Sequence, residues 1–230
     1  MHIEIAGESA VIVYFAQEIS PFAASQVSAA FKRLEAAPQG IVTDLIPSYT
    51  SLLVAYDSSL ISALDVIRYL RQQLSDLVLD EEDGSDSSVV HVPVYYGEEV
   101  GIDLAEVSHQ TGFDVDSIIT THTSTEYRVY AIGFAPGFAY MGLTEPQLKV
   151  SRRSTPRLKV PRGSVALADN QTAIYPSVSP GGWQIIGRTP MTLVDWSTSS
   201  ITPFHVGGRV RFRAIDRQEY LDLGGEFDGV

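Results

Sequence analysis

Residues 80–88 read Asp-Glu-Glu-Asp-Gly-Ser-Asp-Ser-Ser, without one apolar side chain, and the sequence on either side of this break follows two different patterns. Such a stretch can add nothing to a core, and its charge, glycine and serine disfavour a regular element. It predicts a linker at 81–88 between a unit of residues 1–80 and a unit of residues 89–230.

The first unit alternates strand pairs with helices. Residues 4–15 predict two short strands around Gly7. Ser20 is placed to cap a helix with Pro21 at its first position, and Phe22, Val27, Ala30, Phe31 and Leu34 recur at helical spacing. Residues 41–46 and 51–56 predict two strands joined by the turn-like Pro47-Ser48-Tyr49-Thr50. A second helix is expected over 59–77, with Leu60, Leu64, Ile67, Leu70 and Leu74 as its stripe. This order predicts an α+β layer, a small sheet with both helices on one face.

The second unit opens with a strand over 89–96 and short helices over 104–109 and 115–120. Strands are then expected over 127–134, 164–167, 172–175, 183–187, 191–196 and 209–214, punctuated by Gly and Pro. Many short strands of this kind predict a closed or nearly closed β-barrel.

Several chemistries are excluded by residue types. Without cysteine there is no disulfide, thiolate nucleophile or cysteine-held metal. The five histidines never stand two to four residues apart, so no local metal pair is expected. No Walker-type, dinucleotide, zincin or nucleophile-elbow motif occurs. A formal net charge of -12 argues against nucleic acid or an anionic membrane as partner. With no long apolar run and no leader-like start, the expected location is the cytoplasm.

The charge is uneven. Residues 1–126 hold 20 of the 28 acids and only 4 of the 16 Lys and Arg, while six bases crowd between Lys149 and Arg162. That block can hold phosphate or carboxylate, or it can be a solvated loop or an interface for the acidic part. Around it stand blocks of Gly, Pro and aromatic residues: 133–140, Thr155-Pro156-Arg157, 160–164, 180–183 and 187–190. Glycine permits close backbone approach and proline fixes loops, so Phe134, Pro136, Phe138, Tyr140 and Trp183 are candidates for a pocket wall. The same blocks are also what the tight corners of a barrel require.

These strings resemble the allophanate hydrolase subunit 1 family. The likeness runs from His91-Val92-Pro93-Val94-Tyr95-Tyr96-Gly97 through His122 and the 133–140 block to Arg188-Thr189-Pro190. The resemblance implies a ferredoxin-like domain followed by a cyclophilin-like β-barrel. Its implied activity is that of one part, inactive alone, of a multi-subunit ATP-dependent 5-oxoprolinase. The implied partners are that enzyme's A component and its C component, the latter of the allophanate hydrolase subunit 2 type. ATP with Mg would be held by the chain or by a partner. A kinase inhibitor of the KipI type, which binds a histidine kinase without catalysis, and a subunit of a urea- or allophanate-type carboxyltransferase are the alternatives. One departure is Arg162, where the family's pattern suggests a small residue.

Opening a lactam with ATP calls for cations that hold a carboxylate and a migrating phosphoryl group. The expected anion ligands are Arg157 and Arg188, with Gln171 and Tyr175 orienting the substrate and His122 moving a proton beside Arg188.

Overall fold

The computed structural model describes residues 1–36, 40–77, 88–198 and 200–227. The chain divides into two compact units, Met1–Ser85 and Asp86–Val230. Apart from Ser88, the expected linker lies outside the described residues.

The first unit contains β1 (His2–Gly7), β2 (Ala10–Tyr14), α1 (Pro21–Glu35), β3 (Val42–Ser48), β4 (Ser51–Tyr56) and α2 (Ala63–Gln73). Its sheet has the order β1-β2-β4-β3 with every pair antiparallel. Since β4 lies between β2 and β3, those two strands run the same way, and β2-α1-β3 is a β-α-β unit split by β4, as in ferredoxin-like folds. Pro47, which cannot donate to a ladder, sits in the edge strand β3. Val11, Val13, Leu52, Val54 and Tyr56 form one buried face, covered by Ala30 and Leu34 of α1 and by Val66 and Leu70 of α2.

The helices depart from the expected stripes at their starts. Ser20 caps α1 as predicted, its Oγ accepting from the Ala23 amide at 3.1 Å, but Phe22 is exposed. The α2 helix begins only at Ala63, where Ser62 accepts from the Asp65 amide. Leu60 therefore lies before the helix, and Leu64 falls about 200° around the axis from buried Val66. Both leucines face solvent.

The second unit contains β5 (Val90–Tyr95), α3 (Leu104–Thr111), α4 (Val115–Ser124), β6 (Glu126–Ile132), β7 (Ala139–Gly142), β8 (Arg157–Val160), β9 (Ser164–Ala168), β10 (Gln171–Ile174), β11 (Ser179–Gly181), β12 (Gln184–Arg188), β13 (Arg209–Ile215) and α5 (Arg217–Asp222). Seven strands close into a barrel of order β10-β7-β6-β13-β5-β12-β9, and β8 with β11 makes a separate two-stranded ribbon. Among the described residues of the barrel, only β5 and β13 pair in parallel. Two sequence expectations change: α4 continues to Ser124 and takes His122 into its last turn, and residues 191–196 form no strand.

The barrel wall explains where a site can form. In β9, β10 and β12 every residue is buried. Val165, Leu167, Ile174 and Ile186 fill the interior, while the alternate Ala166, Ala168, Ala173 and Ile185 form a second apolar layer with Phe138, Val160, Tyr175 and Trp183. A strand covered on both sides shows no alternation of polarity. The outer covering comes from the β6–β7 turn, residues 151–156 and the β8–β11 ribbon.

Candidate functional site

A cleft of about 210 Å³ opens on this outer layer, lined among others by Phe134, Phe138, Tyr140, Tyr175, Trp183 and Arg152. Phe138 is the hub, with ring centroids 4.8 Å from Tyr140, 5.2 Å from Phe134, 5.3 Å from Tyr175 and 6.0 Å from Trp183, all at steep angles. Edge-to-face contacts of this kind fix rings rigidly. The Arg152 guanidinium carbon lies 5.6 Å from the Trp183 ring centroid, near enough for a cation–π contact.

Local backbone chemistry builds the walls. Phe134 adopts φ +73°, a left-handed conformation that a bulky residue rarely takes, and its ring remains 63% exposed at the cleft. Ala135 to Phe138 then make a tight turn closed by the Phe138 amide on the Ala135 carbonyl, with Gly137 at φ +77°. Pro136 is the exposed corner of this turn and does not line the cleft, contrary to expectation. Across the cleft, a Cβ on Gly181 would stand 2.2 Å from the Tyr175 hydroxyl, so the ring packs there only over glycine. Burial raises the Tyr175 and Tyr140 phenols above their ordinary range, with Arg152 working against it, so both remain neutral hydroxyls near neutral pH.

Below the aromatic layer lies Asp103, which no sequence pattern singles out. It is almost fully buried and accepts from Arg157 at 2.7 and 2.9 Å, from Arg153 at 2.9 Å and from the Ile185 amide at 2.7 Å. Arg157, an expected substrate ligand, is thus committed in both arms of its fork to an internal carboxylate. Arg153 lines the cleft while donating to the same carboxylate.

His122 also has a different setting from the one expected. Its ring is fully buried and stacked 4.4 Å from Phe212. Tyr96 Oη lies 2.8 Å from Nδ1, and Thr172 Oγ1 lies 2.9 Å from Nε2. The Thr172 hydroxyl donates its proton to the Ala166 carbonyl, so it accepts from Nε2–H, and Nδ1 accepts from Tyr96. Burial holds the imidazole pKa down to about 3. The neutral ring has both nitrogens committed inside the barrel and lines neither the cleft at Trp183 nor the one at Arg188.

Arg188 is buried and lines a different cleft, of about 430 Å³, together with Lys159, Arg162, Tyr220 and Glu226. Its Nη1 donates to the Glu226 carbonyl at 3.0 Å. Gln171 is buried in β10 opposite Gly142 and Ala168 and lines neither cleft. The expected site residues are therefore split: the aromatic set meets, Tyr175 joins it, and His122, Arg157, Gln171 and Arg188 each stand elsewhere.

Comparison with known proteins gives this geometry a family. The family described as carboxyltransferase domain, subdomain C and D, matches residues 1–204. The protein of Bacillus subtilis (strain 168) named as the B subunit of 5-oxoprolinase is 35% identical over 228 residues, covering 95% of this chain and 94% of that protein. The protein of the same name from Haemophilus influenzae is 40% identical over 149 residues, covering 64% of this chain and 68% of its own length. The crystal structure of TTHA0988 superposes with a TM-score of 0.79 at 31% identity over 94% of this chain, which spans only 40% of that longer one. Kluyveromyces lactis urea carboxylase, with a TM-score of 0.77 at 16% identity over 96% of this chain and 22% of its own, shares the fold.

Proposed function

The chain belongs to the carboxyltransferase subdomain C and D family, and from that premise we propose that it is the B subunit of an ATP-dependent 5-oxoprolinase. In this reading it opens 5-oxoproline to glutamate in the cytoplasm, together with the enzyme's A and C subunits, the latter of the allophanate hydrolase subunit 2 type. The relatives carrying the B-subunit name support it, at 34–40% identity. The observation that carries the chemistry is the aromatic cleft with Arg152 across the Trp183 ring.

A lactam ring is small and flat and carries one carboxylate. The rings around Phe138 offer it apolar faces, and Arg152 offers the carboxylate a planar two-point donor. Asp103 positions this cleft without touching substrate, because it holds Arg153 and Arg157 on either side of the Arg153-to-Pro156 wall. Phe134 and Leu158, which are 63% and 87% exposed, are side chains a partner would cover.

Among the described residues no cluster of His, Asp or Glu could hold a metal ion. Mg that arrives with ATP is held mostly by phosphate oxygens and water and needs no such cluster, so the reading leaves open which subunit holds it and runs no step through it here. The carboxyltransferase alternative draws on the family's description and on the fold shared with urea carboxylase, which at 16% identity speaks for the fold alone, and the kinase-inhibitor alternative has no observation of its own.

The test is reconstitution. The purified chain should show no 5-oxoproline-dependent ATP hydrolysis, and adding the A and C subunits should restore it. Arg152→Ala should then raise KM about tenfold or more, a loss of roughly 1.4 kcal/mol, with little change in Tm. Turnover by the single chain, or a complete mixture indifferent to both Arg152→Ala and Trp183→Ala, would sink the reading.

A further inference from the structure

The second cleft owes its deepest charge to an irregularity in β12. The pairing of β12 with β9 shifts between Ile185 and Gly187, so Arg188 comes opposite Ser164. On β9 the interior positions are Val165 and Leu167 and the outer ones are Ser164, Ala166 and Ala168. Arg188 thereby shares the outer face with Ile185, three residues away, which an unbroken strand would forbid. Gly163, at φ +79°, lies against the Arg188 side chain, and a Cβ there would stand 2.4 Å from the Thr189 carbonyl oxygen. The buried Ser164 hydroxyl has no hydrogen-bond partner among the described residues.

The chain's own C-terminal segment meets this arginine. After α5, Gly224 turns the backbone at φ +84°, and the Glu226 carbonyl oxygen accepts from Arg188 Nη1 at 3.0 Å and from the Tyr220 hydroxyl at 2.8 Å. Two donors of fixed position thus converge on one oxygen. Lys159 and Arg162 line the same cleft, and Glu226 is the one acidic residue among its described lining. Anchoring a single carbonyl needs one cation. Lys159 and Arg162, both exposed, are opposed there by the single Glu226 carboxylate, so the cleft carries an excess of positive charge that favours an anion.

We propose that this cleft binds an oxyanion of the phosphate class, free or as the terminal group of a larger molecule. The Arg188 guanidinium supplies the fixed charge, Lys159 and Arg162 supply the mobile ones, and the Glu226 carbonyl stands where one ligand oxygen would lie. A buried guanidinium binds an oxyanion in a lower effective dielectric than a surface one, and its geometry is set before the ligand arrives. The inference concerns a different cleft from the aromatic one and is tested by binding alone, so its failure leaves the oxoprolinase reading standing and the failure of that reading leaves the anion site standing.

The experiment is titration calorimetry of the full chain with inorganic phosphate, pyrophosphate and ADP at low ionic strength. Saturable binding is expected, weakening as salt is added. Lys159→Ala combined with Arg162→Ala, both exposed positions, should weaken Kd about tenfold while the ligand-free Tm stays the same. Glu226→Gln removes the opposing carboxylate and should tighten binding about threefold. Equal affinity for phosphate and ADP would assign the group alone as ligand, and tighter ADP would assign a nucleotide. No saturable binding of any of the three probes, or binding that ignores both sets of substitutions, overturns the proposal.

Discussion

Asp103 grips Arg157 at two points, with Nη2–Oδ1 at 2.7 Å and Nη1–Oδ2 at 2.9 Å, while its main-chain amide donates to the Ile185 carbonyl at 2.9 Å and its Oδ2 accepts from the Ile185 amide at 2.7 Å. The contacts join the N-cap of α3, the start of β8 and the start of β12. A buried carboxylate needs such partners to offset the loss of water.

Removing the carboxylate strands two guanidinium groups at once. Asp103→Asn should cost about 3 kcal/mol in urea unfolding, and Arg157→Lys, which keeps the charge but not the fork, should cost less, about 1–2 kcal/mol. Were Arg157 a substrate ligand instead, Arg157→Lys would raise KM in the reconstituted enzyme and leave the unfolding midpoint in place.

The buried imidazole makes stability depend on pH. In the unfolded chain His122 titrates near 6.5, and in the fold near 3. Between those values the unfolded state binds a proton that the native state refuses. The stability contributed by the neutral ring is therefore fully present above pH 6.5 and is lost as pH falls toward 3, with a slope approaching about 1.4 kcal/mol per pH unit. Denaturation at several pH values should show His122→Gln with a shallower acid slope than the parent. Identical slopes would mean that the ring is not sealed.

How far the sequence could be read follows from what each residue signals locally. The α1 cap was legible because Ser20 and Pro21 act on adjacent backbone, and the barrel because turn residues punctuate short strands. Leu60 and Leu64 misled, since a stripe shows periodicity but not where a helix begins, and Ser62 sets that start. The aromatic wall was legible as a dense block, except that Pro136 serves its turn and not the cleft. Asp103 gave no signal, because its partners lie 50 to 82 residues away in the chain. His122 looked catalytic for the same reason: nothing near it in sequence announces Tyr96 or Thr172.

Tyr175 depends on glycine beneath it. Gly181→Ala would place a methyl group 2.2 Å from the Tyr175 hydroxyl oxygen, so the ring or the ribbon must move, at about 1–3 kcal/mol. Adding Tyr175→Phe removes the nearest crowded atom but leaves the ring carbons Cε1 and Cζ 2.7 Å from the methyl, so it should recover only part of that loss. A Gly181→Ala variant as stable as the parent would show that the ring moves aside at no cost.

Phe134 sets stability against use of the cleft. A phenylalanine at φ +73° carries strain of about 1–2 kcal/mol that glycine does not, and its ring, 63% exposed, buries too little surface to offset it fully. Retaining it makes sense where the ring has work at the cleft, beside Phe138 and Tyr175. Phe134→Gly should therefore leave the melting temperature unchanged or raise it slightly, despite the greater freedom glycine gives the unfolded chain. In the reconstituted enzyme the same substitution should raise KM for 5-oxoproline several-fold, because one wall of the cleft is gone. Phe134→Ala keeps the strain and loses the ring, so it should lower both stability and apparent affinity. A Phe134→Gly protein that is less stable than Phe134→Ala would show that the left-handed conformation costs this site nothing, and unchanged KM in both would remove Phe134 from the cleft's function.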